Sequence, residues 1–167
     1  MPRTLRDGYS NFKFFQAMLP QAIADPPGAG GTEGISIDTK GFDTVTFIFN
    51  VGATTAGNGA FDADDFHQLM LEHYNSAAAA WSECYPSQMI HSVVGMGGAY
   101  STLDSGIFQS IASFTDCSAV YWVGYKGPHR FCRVRLSGEV TPSIISVAAI
   151  AICGLAGDWP VSEPVGD

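Results

Sequence analysis

The sequence predicts an all-β protein: a single β-sandwich, jelly-roll-like or Greek-key barrel domain preceded by an extended N-terminal arm. Three observations carry this. Short runs rich in β-branched and aromatic residues recur along the chain, separated by Gly- and Pro-containing turns, which is the pattern of sandwiches and barrels. Charged residues make up only 14% of the chain against 46% hydrophobic, with 19 glycines, a balance that favours buried strands with tight turns and argues against disorder. The length of 167 residues suits one domain able to bury a continuous core without disulfide or metal staples. The expected divisions are an arm and linker over 1–34, the sandwich over 35–157 and a tail over 158–167.

From the N-terminus, Asn11 to Met18 is apolar, but Pro20, Pro26 and Pro27 interrupt the next stretch, and Gly28 to Gly34 forms a flexible linker. Burying Phe12, Phe14 and Phe15 is worth about 1.5–3 kcal/mol each, so they must pack on something. Their own sheet and a neighbouring subunit are both open. Ile35 to Val51 is a strand region broken at Lys40-Gly41, after which Val45, Phe47, Phe49 and Val51 share one face and Thr44, Thr46 and Asn50 the other. Gly52 to Asp65 is a loop. Phe66 to Tyr74 fits either a helix with Asp62 as N-cap or a strand. Trp81 to Ile90 contains a short strand, Gly95 to Gly98 is a break, and Gly106 to Phe114 is weakly patterned. Tyr121 to Leu136 reads as a hairpin turning at Lys126-Gly127-Pro128-His129. In its second half Cys132, Val134 and Leu136 face one way and Phe131, Arg133 and Arg135 the other. Ile144 to Leu155 is apolar on both faces and is expected to be a central strand covered on each side.

The formal net charge is −8, and Lys126, Arg130, Arg133 and Arg135 are half of the eight Lys and Arg residues. So acidic a chain is unsuited to nonspecific nucleic-acid binding, which needs cations to displace phosphate counterions. Aromatic residues beside those arginines fit a sheet face with cross-strand pairs better than a base-stacking platform. No nucleotide-binding glycine motif and no G-x-S-x-G elbow occurs. His67 and His73 would share a strand face but sit too far apart along it to bind one ion without help, and His91 and His129 lack a carboxylate or thiol at ligand spacing. Asp62, Asp64 and Asp65 lack the Gly and distal Glu of a helix-loop-helix calcium site and fit a solvated turn. Nothing sets Glu72 and Glu83 across a cleft. Cys84, Cys117, Cys132 and Cys153 read as free thiols of a reducing compartment. Met1 to Asp7 is charged with no apolar run behind it, so no signal peptide is expected, and Val147 to Leu155 is too short to span a bilayer. No catalytic residue, cofactor or metal site is expected.

Three stretches together resemble a family of small tailed-bacteriophage proteins, the capsid decoration or cement (head-stabilising) proteins encoded beside the major capsid protein. Ile37-Asp38-Thr39-Lys40-Gly41-Phe42-Asp43-Thr44-Val45-Thr46-Phe47 resembles that family's opening strand. Gly124-Tyr125-Lys126-Gly127 followed by Arg130-Phe131-Cys132-Arg133-Val134 resembles its hairpin, and Ala148-Ala149-Ile150-Ala151-Ile152-Cys153-Gly154 its closing strand. Asn11 to Pro20 is similar to its arm. Leu71-Glu72-His73 followed by Trp81-Ser82-Glu83 is similar to a strand, polar loop and second strand, which decides Phe66 to Tyr74 in favour of the strand. The loop Asn75 to Ala80 departs from the family's Asp- and Gly-rich loop, and His91 to Cys117 has no counterpart.

The resemblance implies a structural virion protein on the capsid exterior, made in the host bacterial cytoplasm. Its expected partners are the major capsid protein and further copies of itself, a trimer being one such homo-oligomer, with neither nucleic acid nor membrane. Phe12, Phe14 and Phe15 are then candidates for an intersubunit contact. Arg130, Arg133 and Arg135 are candidates for contact with acidic capsid surface, or else for ion pairs with the chain's own carboxylates. The alternative is a virion-surface binding module, a head fibre for carbohydrate or host surface, with Trp81, Tyr100 and Trp122 as its aromatic platform.

Overall fold

The computed structural model describes residues 12–23, 31–55, 66–90, 106–138 and 144–156. They form eleven strands: β1 (Phe12–Ile23), β2 (Thr32–Glu33), β3 (Ile37–Asp38), β4 (Phe42–Thr55), β5 (His67–Asn75), β6 (Ala80–Glu83), β7 (Met89–Ile90), β8 (Ile107–Ile111), β9 (Ala119–Tyr125), β10 (Phe131–Gly138) and β11 (Ile144–Ala156). Single 3-10 turns sit at Pro86–Gln88 and Phe114–Asp116. The Asp62, Asp64 and Asp65 run, His91, Tyr100 and the tail over 158–167 lie outside the described residues.

The strand pairing is nested. β1 pairs with β11, β2 and β3 with β10, β4 with β9, and β5 with β6 and β8, all antiparallel. A chain that pairs its ends, and then each successive inner segment, is one long antiparallel ribbon. Rolling that ribbon brings β11 against β4 and β10 against β5. The result is a five-stranded sheet in the order β1-β11-β4-β9-β7 and a second sheet in the order β2-β10-β5-β6, with β3 on β10 and β8 on β5. This all-β sandwich is the jelly-roll solution to the problem of exposed strand edges.

Alternation along each strand fills the space between the sheets. Val45, Phe47, Phe49 and Val51 of β4 are buried, as are Ile145, Val147, Ala149, Ala151 and Cys153 of β11. Leu69 and Leu71 of β5, and Cys132, Val134 and Leu136 of β10, are buried from the other side. Phe47 and Phe49 are the largest wholly buried side chains among the described residues, and truncating either to Ala should cost about 3–5 kcal/mol. Phe66 to Tyr74 resolves as a strand because its odd positions, His67 to His73, face this core and need a period of two.

Three expectations change. Tyr121 to Leu136 is not a hairpin: β9 lies in the first sheet beside β4 and β7, and β10 in the second beside β5, so the two strands never pair. The segment between them arches across the sandwich. The arch is closed by a side chain: the Tyr125 hydroxyl accepts from the His129 amide at 3.0 Å and donates to the His129 carbonyl at 3.2 Å. Gly127 lies flush on that ring, where a Cβ would fall 2.5 Å from its Cε2 and Oη.

Secondly, β11 is interior within its sheet but is covered on one face alone, since Ile150 on the other is exposed. Thirdly, residues 12–23, expected to be part of an arm, make the edge strand β1 on this chain's own β11. Pro20 sits where the register slips between Met18 and Gln21, the edge and bulge setting in which a missing N–H is tolerated.

Candidate interaction surface

The outward faces of the two sheets have opposite chemistry. On the second sheet, Arg133 and Glu72 are cross-strand neighbours, as are Phe131 and Asp38. Arg133 Nε donates to Glu72 Oε2 at 2.8 Å, and its Nη1 and Nη2 grip the Glu33 carboxylate at 2.7 and 2.8 Å. Arg135 Nη1 donates to the remaining Glu72 oxygen at 3.0 Å. Trp81 of β6 stacks on the Arg133 guanidinium at 4.2 Å and meets Tyr74 edge-on. The centre of the network is therefore covered, with side-chain exposure of 10% for Arg133 and 5% for Glu72, while Glu33 at its rim is 56% exposed. Bidentate pairing in the guanidinium plane, with an aromatic ring stacked upon it, is the setting that suits Arg at a buried ion pair. Arg130, at the arch, pairs bidentately with Asp38 but in the open, and this guanidinium holds the Asp38 carboxyl below the usual carboxylate range.

None of the residues that strand pairing sets in rows across the outer face of the first sheet is ionisable, Lys126 standing just past the end of β9. The register sets out four rows across that face: Phe12, Gly154 and Thr44; Phe14, Ile152, Thr46, Gly124 and Ile90; Gln16, Ile150, Ile48 and Trp122; then Ala148, Asn50 and Val120. Six of the ten large hydrophobic residues exposed in the described structure, namely Phe12, Phe14, Ile90, Val120, Trp122 and Ile150, lie here. Phe12 rests on Gly154, where a Cβ would fall 2.7 Å from its ring. Beyond the last row, where β1 slips register, is a shallow depression of about 370 Å³ lined by Pro20, Gln21, Asn50, Gly52, Ser146 and Ala148. No acid, base or nucleophile lines it apart from the Ser146 hydroxyl, which has no base among those residues.

Between the sheets, behind the arch, His73 meets Cys84 Sγ at 3.6 Å and the Tyr125 hydroxyl at 3.4 Å through Nδ1, and its ring lies 4.2 Å from that of His129. Burial first, and His129 second, hold the His73 pKa below its ordinary value. Burial, reinforced by Glu72, pushes the Cys84 thiol up to about 12. A nucleophilic thiol needs the opposite shift. Among the described residues no three His, Cys, Asp or Glu side chains could hold a metal ion.

The predicted site residues thus divide. Phe12 and Phe14 lie on the uncharged outer face, while Phe15 turns the other way, onto the core margin against Phe42. Arg130, Arg133 and Arg135 all make the intramolecular ion pairs that the sequence left as one alternative. Glu72 and Glu83 stand opposite each other across β5 and β6, with Glu72 committed to two arginines. All four cysteines are free and buried. Sequence reasoning missed Trp122, Ile150 and Ile90 as one patch. The signal was there in the charge-free stretches Val120 to Gly124 and Ile144 to Gly154, but it required knowing that β9 and β11 flank β4. No helix among the described residues is long and apolar enough to cross a membrane.

The fold and surface define a jelly-roll β-sandwich with one self-paired polar face and one uncharged apolar face. No family model, curated protein or solved structure matches the chain.

Proposed function

We propose that the chain is a capsid decoration (cement) protein of a tailed bacteriophage. In this reading it binds the outer surface of the shell and stabilises contacts between major capsid protein subunits. The observation that carries the proposal is the uncharged apolar face on a chain of net charge −8. Contiguous apolar patches on soluble proteins mark interaction sites, and interface cores are depleted in charge. The nested sheets supply a rigid body, and repetition over a shell multiplies modest contacts. The motif resemblance at Ile37 to Phe47, Gly124 to Val134 and Ala148 to Gly154 supports the same reading, which assigns the protein no catalysis, cofactor or metal.

The second reading, a head fibre binding carbohydrate or host surface, needs an aromatic platform. Trp81 and Trp122 lie on opposite outer faces of the sandwich, in different sheets, so they cannot share one.

Quantitative mass spectrometry of purified particles tests the proposal. A fixed ratio to the major capsid protein, repeated over the shell, is expected. Absence from particles, or a few copies at one vertex, contradicts it. Deletion of residues 1–30 is a poor probe, because it removes β1 and bares β11.

A further inference from the structure

The cement reading leaves open what covers the uncharged face. Two features of the face select an occupant. The first is charge. Two copies of a chain carrying −8 repel wherever acidic surfaces meet, and this face, with no ionisable group in its four rows, brings none together. The second is shape. An isologous contact must be self-complementary about a two-fold axis. With that axis laid along β4, Ile150 of one copy falls on Trp122 of the other, Phe14 on Ile90, and Ile152 over Gly124, across which Ile90 leans. Thr46 and Ile48, on β4 itself, meet their own counterparts. Large residues therefore oppose large ones, and no cation or carboxylate stands within the four rows.

Resting on the cement reading, we infer that this face is a homotypic interface, on which a second copy of the chain docks sheet to sheet across a two-fold axis along β4. Five strands about 4.8 Å apart and four rows about 6.8 Å apart give a footprint of roughly 20 by 20 Å. That is the core of an interface, below the roughly 800 Å² per partner of a standard stable complex. The dimer is accordingly weak in dilute solution, and assembly on a shell concentrates it.

Sedimentation equilibrium of the full chain over a wide concentration range tests this. The wild type should pass reversibly from monomer to dimer, and Ile150→Lys and Trp122→Glu should each weaken the dimer at least tenfold. A Thr46→Cys variant places a thiol on the axis opposite itself. A short bis-maleimide should link it into dimers, the four native thiols being buried. This readout does not depend on the charged variants folding. A wild type that stays monomeric throughout overturns the inference, as does Ile150→Lys dimerising like the wild type, or Thr46→Cys giving no linked dimer. A monomer found on particles at fixed copy number would remove the homotypic interface and leave the cement reading. A dimer absent from particles would do the reverse.

Discussion

The two outer faces of this sandwich are made from the same kind of strand and solve the solvent problem in opposite ways. On the second sheet, every charge that β10 turns outward finds its partner within the chain, and Trp81 and the neighbouring strands cover the result. In the four outward rows of the first sheet no residue is charged, and aromatic and branched residues stand in the open. One face is energetically closed and the other is left with hydrophobic area to bury. A cluster of arginines is thus no guide to an interface when the fold supplies its carboxylates, whereas a row of Phe, Ile and Trp with no charge among them has no internal partner to absorb it.

That contrast predicts a ranking of effects on the free monomer. Glu72→Gln should be the most damaging change, because it removes the one largely buried carboxylate that Arg133 and Arg135 share. A loss of about 3–5 kcal/mol is expected in urea melts, and a loss under about 1 kcal/mol would show that the network is better hydrated than its burial implies. Next comes acid. Because His73 in the folded chain titrates below its ordinary 6.5, the unfolded chain binds more protons as the pH falls past that value. The His73 contribution to stability is therefore complete above about pH 6.5 and is lost below it, by at most about 1.4 kcal/mol per pH unit. Melts between neutral and mildly acid pH should show that slope in the wild type, and His73→Gln should flatten it.

Smaller still is Arg130→Ala, which breaks an exposed bidentate pair with Asp38. It should cost less than either, with a deficit that shrinks in high salt. Smallest is the apolar face. Ile150→Lys should change monomer stability by no more than about 0.5 kcal/mol, although it should disable association. If Ile150→Lys instead unfolds the monomer, that face is part of the core and the contrast fails.

Much of this fold was legible in the sequence, and what was not has physical reasons. The alternation in β4 names its buried face outright, since Val45, Phe47, Phe49 and Val51 have no other way to leave water. The outward set of β10 was equally plain. The carboxylates that answer it, Glu72 and Glu33, lie 61 and 100 residues away, and no local pattern announces a contact of that range. The arch between β9 and β10 read as a hairpin because Gly127-Pro128 turns a chain equally well within a sheet or between two. What decides is Tyr125, which closes the turn with its hydroxyl where ladder bonds would otherwise run. β11 misled for a related reason. Ile150 and Ile152 on one face and Ile145 and Val147 on the other look alike to any periodicity, and only the position of the second sheet tells which of the two is covered. The apolar patch was invisible for the same cause, being assembled from five strands whose order the ribbon sets when it rolls.

Side-chain footprinting is the most direct test of the claim that the uncharged face is hidden against other chains. Tyr85 and Phe114, exposed elsewhere on the molecule, serve as internal references. In dilute free protein Trp122 and Phe14 should be oxidised as readily as these two. On intact particles Trp122 and Phe14 should be protected while Tyr85 or Phe114 still reacts. Trp122 and Phe14 labelled as strongly on the particle as in free solution would contradict the account.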